Sequence, residues 1–476
     1  MMRFDVVILG AGPAGERAAI QAAKLGKRAA LVEQARVVGG TGVVWGAIPS
    51  KTLRESALFV QSLTNRKLDG IPCGIEGEIT VADFMHRERQ VVARELELIN
   101  RSLDRYAIEL FRGRGRFVDP HTVAVSGAGG QARVHLRGDH VVIATGSSPS
   151  RPADVPFDAE CVFDSGTILA MPRMPRSVLV LGAGVIGVEY ASIFAALGLE
   201  VTLVDTRAEL LPFLDREIAT ILERELRKLG MVVMHDDHHE RIEILAGTPP
   251  TVRVHTQKGN TLEADVLLYC VGRDGNTADL GLEAVGITPT PRGLLEVNED
   301  FQTAVPHIYA VGDVIGYPAL ASTSMEQGRR AIRHAFGATG PRRETKLLPF
   351  AIYAIPEVSY IGETEADLVA AGTPYVVGRG RYDLNPRGQI CGDMGGLLKL
   401  LFKADDLELV GVHIVGAQAA ELVHIGQAFL YAGATADDIS EMLYNYPTLS
   451  DLYRHAALEG QQNARRRAQG VPPLGA

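Results

Sequence analysis

One stretch of this chain occurs twice. Asp5-Val6-Val7-Ile8-Leu9-Gly10-Ala11-Gly12-Pro13-Ala14-Gly15 returns as Ser177-Val178-Leu179-Val180-Leu181-Gly182-Ala183-Gly184-Val185-Ile186-Gly187, 172 positions later. Each copy opens as a short apolar run, which reads as a buried strand. A helical pattern follows and ends at Leu25-Gly26 or Leu197-Gly198. A second apolar strand then ends in an acid, Glu33 or Asp205, 23 positions past the first glycine. Each copy is therefore strand, glycine turn, helix, strand.

The chemistry of this pattern is specific. The first glycine makes a tight turn, the second lets a pyrophosphate approach the backbone, and the third lets helix and strand pack closely. The phosphates sit on the helix N-terminus, beside Pro13 and Ala14 in the first copy and Ile186 in the second. The terminal acid accepts hydrogen bonds from a ribose diol. A lone G-x-G-x-x-G is weak evidence. Two copies in the same context point to two dinucleotide-binding units.

The 476 residues suffice for two to four domains. A net charge of -9 argues against a nucleic-acid-binding surface. The four cysteines, Cys73, Cys161, Cys270 and Cys391, have neither C-x-x-C nor metal-ligand spacing, so no metal is expected. So few thiols suit a reducing compartment, and the expected location is the cytoplasm. Met1 leads straight into a strand pattern without a charged leader, so no signal peptide is expected. The apolar run Val178 to Gly198 contains Glu189 and four glycines and reads as the second nucleotide unit, not a membrane span.

Three further strands end in turns: Val141 to Gly146, Leu267 to Arg273 and Ile308 to Asp313. A Pro-rich linker runs from Pro149 to Pro156. After about residue 345, alternating strands (Gly396 to Phe402, Leu409 to Val415) give way to helices from Ala419. The expected fold class is α/β: two Rossmann-like dinucleotide-binding domains plus a C-terminal α+β domain. The expected boundaries are 1–148 and 273–345 for the first, 149–272 for the second, 346–465 for the C-terminal domain and 466–476 for a flexible tail, with the basic run Arg465-Arg466-Arg467 where the two meet. His235, His238 and His239 read as a polar surface loop, and His424 as interface or core.

The segment Gly39-Gly40-Thr41-Gly42-Val43-Val44-Trp45-Gly46-Ala47-Ile48-Pro49-Ser50-Lys51 resembles the active-site helix of flavin disulfide reductases. There a C-x4-C pair carries electrons to a disulfide substrate. Here those positions hold Gly42 and Ala47. With this segment and both fingerprints, residues 3–463 resemble the pyridine nucleotide–disulfide oxidoreductase superfamily. The resemblance narrows to its soluble transhydrogenases through four segments: Trp45 to Lys51, Ala310 to Pro318, His424 to Ala428, and Tyr444 to Thr448. Disulfide reductases carry a His-x-x-x-x-Glu dyad in the last region, where this chain has Tyr446 and Asp451. Thiols and base are missing together. Transhydrogenases of this type usually keep a cysteine at the position of Gly42, and this chain departs from them there.

This resemblance implies bound FAD, NAD(H) and NADP(H) as substrates, and a homodimer or larger homo-oligomer formed through a C-terminal dimerisation domain. It implies that Gly10, Gly12, Pro13, Ala14, Gly15 and Glu33 hold the ADP half of FAD. Gly40, Thr41, Ala144, Thr145, Gly146, Gly312 and Asp313 would hold the rest, with Asp313 toward the ribityl chain. Gly182, Gly184, Ile186, Gly187, Asp205, Arg207 and Gly272 would serve the nicotinamide cofactor. Lys51 would stand near the flavin N5, paired with Glu189, as the catalytic pair. Asp205 favours NAD(H), whereas Arg207 suits the 2′-phosphate of NADP(H). Both together suit one site that admits both cofactors. The implied reaction is ping-pong hydride transfer from NADPH to NAD+ through the flavin. A diaphorase or quinone reductase, or a flavin-bound redox sensor or assembly protein, stays open. Trp45 and Tyr446 could line the flavin cleft or simply pack.

Overall fold

The computed structural model describes residues 1–65, 77, 79–127, 132–338 and 347–474. Cys73 lies outside them. The chain forms two compact units, each assembled from separate stretches: Met1–Ser56, Gly77–Met174 and Cys270–Arg342 make the first, and Ala57–Glu76, Pro175–Tyr269 and Arg343–Ala476 the second.

In the first unit, the apolar runs of the first fingerprint pair as parallel strands. Met2–Leu9 lies between Ala29–Glu33 and the C-terminal part of Ala132–Ile143, with Glu109–Arg112 outside one and Ile308–Ala310 outside the other. Ala132–Ile143 also closes an antiparallel meander with Thr122–Ser126 and Arg114–Asp119. Val6, Val7, Ile8, Val141, Val142 and Ile143 have no exposed surface, as expected of strands covered on both faces. Helix Pro13–Lys24 packs on helix Ala321–Ala335 at Gly328, where a Cβ would stand 2.3 Å from Ala14 O.

The second unit repeats this logic. Parallel strands run in the order Val232–Met234, Glu200–Val204, Ser177–Leu181, Val266–Tyr269. Helix Val185–Ala196 is buried from Gly187 to Ala196, which accounts for its largely apolar sequence around Glu189 and Ser192. An antiparallel sheet follows, ordered Phe350–Ile352, Val358–Gly362, Leu409–Val415, Leu397–Lys403, Tyr375–Arg381. Helix Leu452–Ala468 lies on its edge strand because Gly378 and Gly380 lack side chains; a Cβ on Gly378 would stand 1.9 Å from Ala456 O. This helix continues past residue 465, and the chain beyond it folds back: Leu474 N–H donates to Asn463 Oδ1 at 2.7 Å.

Lys399 breaks the apolar pattern of strand Leu397–Lys403. The Lys399 side chain has no exposed surface. Its Nζ donates to both oxygens of Asp215 (2.8 and 3.0 Å), lies 3.0 Å from Glu217 and bonds Glu365. Asp215 is the N-cap of helix Arg216–Lys228, so the cluster ties the nucleotide-binding half of this unit to its C-terminal sheet. Burial alone would lower the Lys399 pKa, but Asp215, Glu365 and Glu217 outweigh it and raise it above the ordinary lysine value. Asp215 and Glu217 are held low against their own burial by Lys399 and by Arg379 with Lys399, respectively. Among the described residues, no helix is long and apolar enough to cross a membrane.

Candidate active site

The three glycines of the first fingerprint are required for different reasons. Gly10 turns the chain at φ +104°, and a Cβ on it would stand 2.3 Å from Ala144 O. A Cβ on Gly15 would stand 1.9 Å from Gly10 O. Packing therefore excludes side chains at both. At Gly12 a Cβ would meet only Gly40 Cα, at 3.9 Å. Gly12 is also the N-cap of helix Pro13–Lys24, and no side chain caps that helix. Its leading N–H groups thus face a cradle bounded by backbone, the arrangement that accepts a phosphate. The second copy matches: Gly182 turns at φ +97°, Gly187 is buried in the helix, and Gly184 is an uncapped N-cap with nothing within 4 Å of a Cβ.

The repeat extends to single hydrogen bonds. Glu33 accepts from Ala11 N–H (2.8 Å) and Ala35 N–H (2.7 Å). Asp205 accepts from Ala183 N–H (2.5 Å) and Arg207 N–H (2.8 Å), the same pair of positions one repeat later. The copies differ in one side chain. Where the first has Ala35, the second has Arg207, whose guanidinium folds onto the acid in a fork: Nε to Oδ1 at 2.9 Å and Nη2 to Oδ2 at 2.6 Å. Burial would raise the Asp205 pKa, but the Arg207 and backbone bonds hold it below the usual carboxylate range. Arg207 keeps more than a third of its side-chain surface exposed, whereas Asp205 is buried.

Gly40 (φ +50°) lies against Gly12 and opens a π-helical turn, Thr41–Trp45. Gly46 ends the turn, and helix Ala47–Asn65 carries Lys51. The segment expected as one helix is thus a wide turn followed by a helix. Gly42 is more than a cysteine position left bare: a Cβ there would stand 2.6 Å from Pro13 Cγ. Trp45 is 42% exposed. Lys51 Nζ lies 3.3 Å from Ser50 Oγ. In the second unit, Glu189 is buried on helix Val185–Ala196, where its Oε1 accepts Tyr353 N–H at 2.8 Å.

The turn after strand Ala132–Ile143 brings Ala144, Thr145 and Gly146 beside the Gly312-Asp313 turn. Thr145 Oγ1 is buried and has no hydrogen-bond partner. Gly312 N–H donates to Gln327 Oε1 at 2.7 Å. Asp313 Oδ2 accepts from Ser147 Oγ at 3.1 Å. Ser147 Oγ in turn accepts from Arg273 Nε at 2.9 Å, and Arg273 Nη2 donates to Ser147 O at 2.6 Å. Asn276 closes the same turn through Thr145 O and Gly146 O. Sequence reading missed Ser147, Arg273 and Asn276. The polar residues directly after Gly272 were the available signal.

The remaining candidates separate. Tyr446 is 74% exposed. Asp451 is buried, ion-paired with Arg454 at 2.8 Å, and lies 3.3 Å from His455 Nε2 on its own helix. His424 is exposed, not core, and bonds Gln427 at 2.9 Å. His235 is half-buried against Glu223 at 3.0 Å, so that histidine is not a free loop residue. The Cys161 thiol donates to Asp158 Oδ2 at 3.3 Å, and burial is the chief cause that pushes it and the Cys270 thiol up to about 12.

Two open glycine cradles over uncapped helices, two pre-bonded acids and an orphaned buried hydroxyl are the donor set of a protein that binds dinucleotides. The chain matches the pyridine nucleotide-disulphide oxidoreductase family over residues 4–328 and its dimerisation domain over residues 348–457. It belongs to that family, whose members use flavin and nicotinamide nucleotides. It is 45% identical over 466 residues to a soluble pyridine nucleotide transhydrogenase of Mycobacterium bovis, covering 98% of each chain. It is 43% identical to one of Chromohalobacter salexigens, covering 96% of this chain and 98% of that one. Among solved structures, LpdA of Mycobacterium tuberculosis superposes with a TM-score of 0.87 at 26% identity, covering 96% of this chain and 99% of that one. The HOCl-induced flavoprotein disulfide reductase RclA of Escherichia coli superposes at 0.85 and 27%, covering 95% and 99%.

Proposed function

We propose that this chain is an FAD-dependent transhydrogenase that moves a hydride from NADPH to NAD+ by a ping-pong sequence at one nicotinamide site. The observation that carries the reading is the Asp205–Arg207 fork. One group suits the ribose diol of NAD(H) and the other the 2′-phosphate of NADP(H), and in the free protein each neutralises the other. A site with only the acid would repel a 2′-phosphate. Here Arg207 has the exposure to turn outward toward one. Similarity to chains named soluble pyridine nucleotide transhydrogenase supports the same reading.

Bound FAD supplies a store for two electrons between the nicotinamides. The chain's own residues supply placement and charge. Gly10, Gly12, Pro13, Ala14, Gly15 and Glu33 bind the ADP half, and Gly40 and Thr41 close over it. Ala144, Thr145, Gly146, Gly312 and Asp313 bind the chain toward the flavin ring. Gly182, Gly184, Ile186, Gly187, Asp205, Arg207 and Gly272 orient the nicotinamide cofactor. Lys51 and Glu189 would be the catalytic residues, Lys51 offering a positive charge to the reduced flavin and Glu189 a carboxylate. The Tyr353 N–H fixes one oxygen of Glu189 and so sets its direction. No cysteine stands at either redox position, so no disulfide shares the electrons. The expected assembly is a homodimer through residues 346–465, located in the cytoplasm.

Mixing the oxidised protein anaerobically with NADPH and the thio analogue of NAD+ tests this. Rapid reduction of the analogue supports transhydrogenation. Flavin reduction with the analogue left oxidised until a quinone is added would make the chain a quinone reductase. No flavin reduction by either nicotinamide would leave a sensor.

A further inference from the structure

Two short crossings of the chain run side by side in the first unit. Ser147–Pro149 leaves the central sheet and Arg273–Gly275 returns toward it, and they pair antiparallel. Their facing residues do more than close a ladder. Arginine has only donors, so the Arg273 Nε bond fixes Ser147 Oγ as acceptor on that side. The single hydroxyl hydrogen is then directed at Asp313 Oδ2. Arg273 is locked in turn by its second bond, to Ser147 O. The result is a polarised chain from cation through hydroxyl to carboxylate, which leaves Asp313 Oδ1 for a ligand.

We propose that Ser147 and Arg273 are positioning residues for Asp313. They fix its carboxylate so that the free oxygen accepts a hydroxyl of the bound cofactor's ribityl chain. This rests on the assignment of Asp313 to the ribityl chain. Burial lowers the Arg273 pKa, while the carboxylates of Asp313 and Asp164 act in the opposite direction. An arginine stays charged in this setting. Ser147 is itself buried, so its bonds are shielded from solvent.

The test is titration of the full chain, stripped of flavin, with FAD, read by quenching of flavin fluorescence. Asp313→Asn and Ser147→Ala should each weaken FAD about tenfold, the usual size for a bond to a charged group. Ser147→Thr, which keeps the hydroxyl, should restore most of the loss. In the Asp313→Asn background, Ser147→Ala should cost less than about twofold, because the group it positions has lost its charge. Arg273→Met should weaken FAD in the wild-type background and much less alongside Ser147→Ala. Thermal melting of the flavin-free variants separates lost positioning from lost fold. If Asp313→Asn weakens FAD and Ser147→Ala does not, the proposal fails and the ribityl assignment stands. An equal loss from Ser147→Ala in both backgrounds also overturns it. Full affinity in Asp313→Asn removes the assignment and the proposal together.

Discussion

Replacing Lys399 by methionine should destabilise the protein severely, for a reason that can be apportioned residue by residue. The ammonium has no exposed surface and faces three carboxylates. These are not equally dependent on it. Glu217 and Glu365 keep about a third of their side-chain surface in water, and Glu217 also has Arg379 at 2.8 Å. They can be rehydrated. Asp215 is 1% exposed and would keep only the backbone N–H bonds at its helix N-terminus, from Glu217 and Ile218. The cost is therefore that of one uncompensated buried charge, about 3–5 kcal/mol. For a unit of this size that is a fall of roughly 6–20 °C in melting temperature. Calorimetry or circular dichroism at pH 7.5 would measure it. Asp215→Asn should rescue Lys399→Met by more than half, because it removes the stranded charge. The deficit should also narrow in acid. In the variant, burial raises the Asp215 pKa, and a raised group is destabilising only where it must ionise. A loss under about 1 kcal/mol, or no rescue by Asp215→Asn, would refute the reasoning.

Four other outcomes follow. Arg207→Ala should raise the KM for NADPH about tenfold or more and that for NADH less than about threefold, since only the former loses a charge-assisted bond; equal effects would exclude a 2′-phosphate role. Gly184→Ala should fold normally, because nothing lies within 4 Å of the new methyl, yet bind nicotinamide nucleotides weakly, whereas Gly15→Ala should fail to hold FAD, with a methyl 1.9 Å from Gly10 O. The contribution of the Lys399 cluster to stability should be flat between about pH 5 and 10 and fall on both sides. Asp215 and Glu217, whose pKa values are lowered, contribute above their unfolded values and lose this as pH falls; Lys399, whose pKa is raised, contributes below its unfolded value and loses this as pH rises. Restoring the pair with Gly42→Cys and Ala47→Cys should not create a reducible disulfide at no cost, since a Cβ at residue 42 meets Pro13 at 2.6 Å; melting temperature and thiol titration check this.

The parts of the fold that sequence made legible are those carried by local periodicity. The two fingerprints gave strand, turn, helix and acid because each depends on glycines within a few positions of one another. The repeat extends to paired bonds at Ala11 and Ala183, which only the structure shows. What was illegible depends on long separations. Ser147 lies 126 positions from Arg273 and 166 from Asp313 in sequence, and meets them only because the chain returns to the same sheet. Lys399 sits in an otherwise apolar strand, and nothing local announces that Asp215 and Glu365 wait for it. Arg207 was legible as a residue but not as a state: proximity to Asp205 could not show a fork. The π-helical turn at Thr41–Trp45 was hidden because its sequence differs little from an α-helical one.

The central claim is that one site admits NADPH and NAD+ in turn, with the electrons held between visits. Steady-state rates of NADPH oxidation at several fixed NAD+ concentrations test it most directly. The account predicts parallel double-reciprocal lines, with each nucleotide at high concentration inhibiting competitively against the other. Intersecting lines, which require both nucleotides bound at once, would contradict it.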